Sequence, residues 1–176
     1  MIEINQAIFG EGRDHGHSLL KSSYSNDHFP TQVSGFTDLI DRPASGVLSL
    51  PIIRGFIVKE HFLLIKSFPD TTGRRGRVFS HALIVTLEDY AKIQDITDLM
   101  QFHMPEIDKD AKTDVIKYSN SPSPIVFSAS KKIINATDAV LNHVDYNNTI
   151  VWAGDVDYWN WISAIWYNLP LSVKLN

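Results

Sequence analysis

The chain has 176 residues, no cysteine and a formal net charge of −4 at pH 7. This length suits one domain, and a hydrophobic fraction of 44% with four tryptophans supplies an ample core. The absence of cysteine excludes disulfide scaffolds, thiolate zinc sites and thiol nucleophiles. Because the charge is negative and Lys and Arg form no long tract, nucleic acid is not expected as a partner.

The chain carries no recognisable targeting signal. The N-terminus, MIEINQAIFGEGRD, lacks the basic, apolar and small-residue regions of a signal peptide. No apolar run approaches the ~20 residues of a membrane helix. We therefore expect a cytoplasmic protein without membrane contact, with residues 1–176 forming a single domain.

The first half of the chain alternates between apolar and polar residues, which predicts β-strands. A glycine-rich stretch between the first two alternating segments predicts a hairpin with a long tip, and residues 69–76 (PDTTGRRG) predict a loop. The predicted strands cover residues 2–9, 17–24, 46–68 (at least two strands) and 77–85.

Alternation within the strand 77–85 assigns its side chains to two faces. One face carries Val78, Ser80, Ala82 and Ile84, and the other carries Arg77, Phe79, His81, Leu83 and Val85. His81 shares its face with large apolar residues, so we expect it to be at least partly buried.

The second half of the chain predicts helices. Thr86 and Asp89 form a capping-box-like start, and apolar residues then recur near helical spacing until His103. Further elements are predicted as an edge strand within residues 106–124, a helix from Ser128 or Ser130 to 145–148, a strand at 149–154, and a helix from Asp155 or Asp157 to Pro170. The prediction is an α+β fold with a mixed, mainly antiparallel sheet and about three helices, mostly in the C-terminal half.

The hairpin tip FGEGRDHGHS has the glycine content of a phosphate-binding loop, which makes Gly12, Arg13 and Gly16 candidate contacts. The spacing fits neither a P-loop nor a dinucleotide fingerprint, and a plain turn remains the alternative. His15 and His17 with a nearby carboxylate fall short of the three or four ligands that zinc requires. We therefore expect no metal and no cofactor.

A basic group adjoins the predicted strand 77–85. The group consists of Lys66, Arg74, Arg75 and Arg77, and one acid, Asp70, lies near them in the sequence. Such a group can hold a phosphate or an acidic partner surface, although a solvated loop is the alternative.

Five motifs, taken in order, resemble the N-terminal domain of the bacterial GTPase-associated protein 1 family. They are QAIFG (6–10), GHSLLKSS (16–23), FTDL (36–39), RRGRVFSHALIV (74–85) and AIWYNLP (164–170). The tip departs from the family in its greater length and in His15. The family also continues past Leu-Pro where this chain stops at VKLN, so we expect the N-terminal domain of a longer protein, with a stand-alone form of the domain as the alternative.

The resemblance implies a component of a bacterial conflict system that is encoded beside a GTPase. The expected function is that of a non-enzymatic adaptor or scaffold that contacts GTPase-containing or other defence-system proteins. A homodimer formed through a sheet edge is a third interpretation.

The matching positions also suggest a polar site. We hypothesise that His17 and His81 lie on adjacent strands and share a site with Asp38 or Ser80, where a histidine could bind phosphate or act as an acid or base. An enzyme or a nucleotide- or phosphate-sensing domain is thus the alternative function. In the competing interpretation, both imidazoles hold strand ends through hydrogen bonds.

Overall fold

The computed structural model describes residues 1–25, 28–38, 51–70, 77–120, 134–135, 138 and 162–166. Within these residues, antiparallel pairing joins the strands into one sheet. The strands are β1 (Ile2–Glu11), β2 (His17–Ser22), β3 (Ile52–Val58), β4 (His61–Pro69), β5 (Val78–Thr86) and β6 (Ile116–Tyr118). The helices are α1 (His28–Gln32), α2 (Ser34–Thr37), α3 (Leu87–Tyr90), a 3₁₀ helix (Ile96–Phe102) and residues 162–166.

The strand order is β2-β1-β5-β4-β3, and β6 pairs with the first residues of β1. The predicted α+β fold with a mainly antiparallel sheet is confirmed, as are the hairpin of β1 with β2, the two strands within 46–68 and the short strand before residue 124. The sequence did not predict α1 and α2.

Strand β5 lies at the centre of the sheet and is buried along almost its whole length. Ala82 and Ile84 pack in a cluster with Phe9 and Val33. Leu83 and Val85, on the other face, pack in a cluster with residues that follow β5. The predicted division of β5 into two faces is therefore confirmed. We call the side covered by α1 and α2 the α2 face and the side covered by the 3₁₀ helix the 3₁₀ face.

The long helix predicted after β5 is only partly confirmed. Thr86 does begin a helix, because its side-chain oxygen accepts the N–H of Asp89 at 3.2 Å, but α3 is a single turn. The apolar residues recur every third position: Leu87, Tyr90, Ile93, Ile96 and Leu99. Such a stripe drifts by about 60° per step around an α-helix and stays on one side of a 3₁₀ helix, which has three residues per turn.

Several predicted elements fall mainly outside the described residues. These are the loop 71–76, the strand 149–154, and most of the second and third predicted helices. Within the last two, residues 134, 135, 138 and 162–166 are helical. No helix among the described residues is long and apolar enough to cross a membrane.

Residues 162–166 complete the core of the 3₁₀ face. The Trp166 side chain is 8% exposed, its ring centroid lies 5.0 Å from that of Tyr90, and its Nε1–H donates to the Ile93 carbonyl at 3.3 Å. Ser163 also donates to the Asp95 carboxylate. This late segment therefore stabilises the residues that follow β5.

We predict that Trp166→Ala lowers the free energy of unfolding by about 3–5 kcal/mol, because it removes a buried ring and opens a cavity. Urea denaturation followed by circular dichroism measures this loss. Ile134→Ala is the control, since Ile134 is 56% exposed and its truncation should change stability by less than ~0.5 kcal/mol. Equal stability of the two variants would contradict a core role for Trp166.

Candidate functional site

His17 and His81 do not share a site, so that prediction is wrong. His17 lies on β2 and His81 on β5, and β1 separates the two strands. The His17 ring stacks near Phe9 on the α2 face, with 6.3 Å between ring centroids, whereas His81 stands opposite Ile8 and Lys66 on the 3₁₀ face. The two imidazoles therefore point to opposite sides of the sheet.

On the α2 face, Ser80 belongs to a directed chain of hydrogen bonds. Its Oγ–H donates to the Thr37 carbonyl at 2.6 Å, and its oxygen lies 2.7 Å from Ser67 Oγ. Because Ser80 has spent its one proton, Ser67 must donate to Ser80. Arg54 Nη2 then donates to Ser67 at 3.1 Å. The chain runs from the Arg54 guanidinium to the end of α2.

His17 reaches the same helix end by a second chain. Thr37 Oγ1 donates to the Ser34 carbonyl at 2.7 Å, so its oxygen accepts from His17 Nε2 at 2.8 Å. This assigns the Nε2–H tautomer to His17. We call the set His17, Thr37, Arg54, Ser67 and Ser80 the α2 network.

Asp38 joins the α2 network through its backbone and its charge. Arg54 Nη1 donates to the Asp38 carbonyl oxygen at 2.9 Å. Burial lowers the pKa of His17, the Asp38 carboxylate opposes that shift, and the cations Arg77 and Arg54 add to it. The structure thus brings together three of the four predicted site residues, His17, Asp38 and Ser80, with His17 favoured in its neutral form.

On the 3₁₀ face, His81 is fully buried and bonded through both ring nitrogens. Its Nδ1 accepts the N–H of Met104 at 3.2 Å, so the ring proton is on Nε2, which donates to Gln6 Oε1 at 3.1 Å. The Gln6 amide donates in turn to the Asp114 carbonyl at 2.6 Å. His81 is therefore a structural link between β5, β1 and the segment after the 3₁₀ helix.

These arrangements disfavour nucleophilic catalysis by Ser80. An activated serine needs a base within hydrogen-bond reach and access to substrate. Ser80 is 0% exposed, gives its proton to a carbonyl, and is bonded to Ser67 and Thr37 rather than to an imidazole. Among the described residues, no three His, Asp or Glu side chains gather as a metal-binding group.

The hairpin tip forms a tight turn. The N–H of Gly12 donates to the Gly16 carbonyl at 2.9 Å, and the N–H of His15 donates to the Gly12 carbonyl at 3.0 Å. These two N–H groups, which a phosphate-binding loop would direct at the phosphate, are therefore already bonded within the turn. A Cβ at Gly12 would collide with Ser18 Oγ, so a larger residue there would require the Ser18 hydroxyl to rotate away. Arg13, like its neighbours up to Gly16, is exposed.

Of the basic group predicted from the sequence, the two described members, Lys66 and Arg77, make separate contacts. Lys66 lies opposite His81, where its Nζ donates to the Met104 carbonyl at 3.1 Å. Arg77 Nη2 donates to the His15 carbonyl at 2.5 Å and so joins the tip to the start of β5. Asp70 pairs with Lys109 at 3.1 Å. Arg74 and Arg75 lie outside the described residues.

Several residues that bond to His17, Ser80 or His81, directly or through one other residue, were not predicted from the sequence. They are Gln6, Thr37, Arg54, Ser67 and His103. Two signals were available. Gln6 and Thr37 stand inside the motifs at 6–10 and 36–39, and Ser67, like Ser80, is a small polar residue inside an apolar strand. Such residues need hydrogen-bond partners once they are buried.

We predict that Ser80→Ala lowers the free energy of unfolding by about 1–3 kcal/mol, because it leaves the Thr37 carbonyl without this donor. In a double-mutant cycle by urea denaturation, Ser67→Ala and Ser80→Ala should couple by more than ~0.5 kcal/mol. Ser25→Ala, at an exposed position, is the control for serine loss. Strictly additive effects at positions 67 and 80 would contradict the directed chain.

Comparison with known proteins identifies the family. A family model described as GTPase-associated protein 1, N-terminal domain type 1, matches residues 3–103. The match contains the α2 network, together with Gln6, His81 and His103. Comparison with curated proteins and with solved structures gave no match. Because the matched region covers more than half of the sequence, the chain belongs to the GTPase-associated protein 1 N-terminal domain family, type 1.

Proposed function

We propose that this domain is a non-enzymatic adaptor or scaffold of a bacterial GTPase-linked conflict system and binds a GTPase-containing protein of that system. The observation that carries the proposal is the use of the polar motif residues inside the fold. Ser80 and His81 are fully buried, and their hydrogen bonds go to the protein itself. The family membership supports a GTPase-related partner.

The enzyme or phosphate-sensing alternative loses its main support. It required His17 and His81 in one site, and the sheet separates them. His17 alone keeps partial exposure, but its Nε2–H is bonded to Thr37 and its pKa is lowered. We therefore do not retain this alternative.

The hairpin tip is the surface that we propose for partner binding. Residues 13–16 are consecutive and exposed, and they carry one base and one acid in Arg13 and Asp14. The turn is fixed by its own hydrogen bonds and by Arg77, which contacts the His15 carbonyl. A surface that is ordered before binding loses less conformational entropy when a partner binds.

Arg74 and Arg75 are a second candidate for partner binding. Because Arg77 follows them closely in the sequence and contacts the tip, we propose that these two arginines also contribute to binding the partner. Guanidinium groups form bidentate contacts with carboxylates, which favours an acidic patch on the partner.

We predict that Arg13→Ala/Asp14→Ala weakens binding to the purified GTPase-containing protein encoded beside the gene by at least about tenfold (~1.4 kcal/mol). Biolayer interferometry measures the affinity, and the melting temperature should stay unchanged because both side chains are exposed. Arg74→Ala/Arg75→Ala should weaken binding similarly.

The matched control is Glu88→Ala/Lys92→Ala. It also removes one acid and one base, from an exposed ion pair between Glu88 of α3 and Lys92, which follows the helix, with 3.0 Å between Lys92 Nζ and Glu88 Oε1. It should leave the affinity unchanged. Wild-type affinity in both test variants would exclude this docking surface, and absence of binding by the wild-type domain would reject the proposed partner.

A further inference from the structure

Residues 103–115 form a strap that connects the 3₁₀ helix to β6 without helix or strand of its own. Its apolar side chains, Met104, Ile107 and Ala111, pack against a cluster on the sheet. That cluster consists of the buried residues Ile8, Phe68 and Phe79. The strap therefore covers an apolar part of the 3₁₀ face.

Polar contacts attach the strap to four strands. The strand residues that bond to the backbone of the strap are His81, Lys66, Gln6 and Lys21. An ion pair also joins Lys109 of the strap to Asp70. His81 makes one of these contacts itself, and Lys66 and Gln6, which make two others, are its neighbours on β4 and β1. This ring is thus the polar centre of the attachment.

His81 also contacts a second buried imidazole, that of His103, at the start of the strap. The two Nδ1 atoms are 3.4 Å apart and the rings are nearly perpendicular, with centroids 5.3 Å apart. His81 Nδ1 already accepts from Met104 and carries no proton, so the proton between the rings is on His103 Nδ1. His103 Nε2 is then an acceptor, buried without a hydrogen-bond partner among the described residues.

This arrangement works only while both rings are neutral. A proton on His81 Nδ1 would set an N–H against the N–H of Met104 and that of His103. A proton on His103 Nε2 would create a buried donor that has no acceptor in the described part of the chain, which is unfavourable.

The charged group from β4 that acts on both rings is Lys66, and each imidazolium would also repel the other ring. β1 contributes the neutral Gln6 and Ile8, and the strap contributes the Met104 backbone. Proton uptake by the pair therefore places a positive charge near another positive charge and removes the hydrogen bond that holds the strap.

We propose that the His81–His103 pair is a proton-sensitive latch: the neutral pair holds the strap on the sheet, and proton uptake releases it and exposes the apolar cluster. The latch joins β5 to the strap, which begins at His103, the last residue of the family-matched region. Its ligand is the proton.

The direction of the pH effect follows from the pKa values. Burial, then Lys66, lowers the pKa of His81 to about 4, and burial, then His81 and Lys66, lowers that of His103 to about 3. With the strap released, both groups approach the ordinary value of about 6.5. The released state then binds more protons, so the latch is closed above pH 6.5 and weakens as the pH falls toward about 4.

Hydrogen exchange followed by mass spectrometry tests the latch on the full chain at pH 7.5 and pH 5.5, after correction for intrinsic exchange rates. The opening constant of the strap amides should rise about tenfold per histidine, or ~100-fold in total, as expected for two groups with an open-state pKa near 6.5. The amides of β4 and β5 should keep their protection.

The control is His81→Asn/His103→Asn, which retains an amide oxygen or N–H near each Nδ1 position but does not titrate. Its strap should show no pH effect. Should the double variant not fold, His103→Asn alone should reduce the pH effect to about tenfold. The latch is refuted by pH-independent protection in the wild type, by a wild-type pH effect in the variant, or by loss of β5 protection together with the strap.

Discussion

Ser80 and His81 are consecutive residues of a strand that is buried on both faces, and their side chains must point to opposite sides of the sheet. Each is polar, and each would be costly to bury without hydrogen bonds. Ser80 bonds to the end of α2, and His81 bonds to β1 and to the strap. The positions of the segments on both faces therefore depend on this one dipeptide at the centre of the sheet.

The motifs that marked the family meet one another in the fold. Gln6 of the first motif accepts from His81 of the fourth, and His17 of the second donates to Thr37 of the third. Residues that resemble catalytic types thus serve to fix strand and helix positions. A histidine within a family motif is therefore poor evidence for chemistry when both of its ring nitrogens are bonded to the backbone or to a neighbouring amide, as in His81.

Local patterns predicted much of this fold, and non-local pairing explains most of what they missed. Alternation assigned Ser80 and His81 to opposite faces, and Thr86 was identified as a helix cap. The sequence could not reveal that β5 pairs with the side of β1 away from β2, which separates His17 from His81. Arg54 carried no local signal either, because its role arises from β3 being brought to the end of α2.

The polar motif residues are bonded within the fold, whereas residues 13–16 of the tip are exposed. The hydrogen bonds assign a definite protonation state to the two histidines that were first considered as a site. Both are neutral, both carry the proton on Nε2, and both leave Nδ1 bare, because Thr37 accepts from His17 and Met104 donates to His81.

Long-range ¹H–¹⁵N correlation spectra of the histidine rings at pH 7 test this claim most directly. We expect a neutral ring with protonated Nε2 for both His17 and His81. An imidazolium, or a proton on Nδ1, at either residue would contradict the hydrogen-bond networks on the two faces of the sheet.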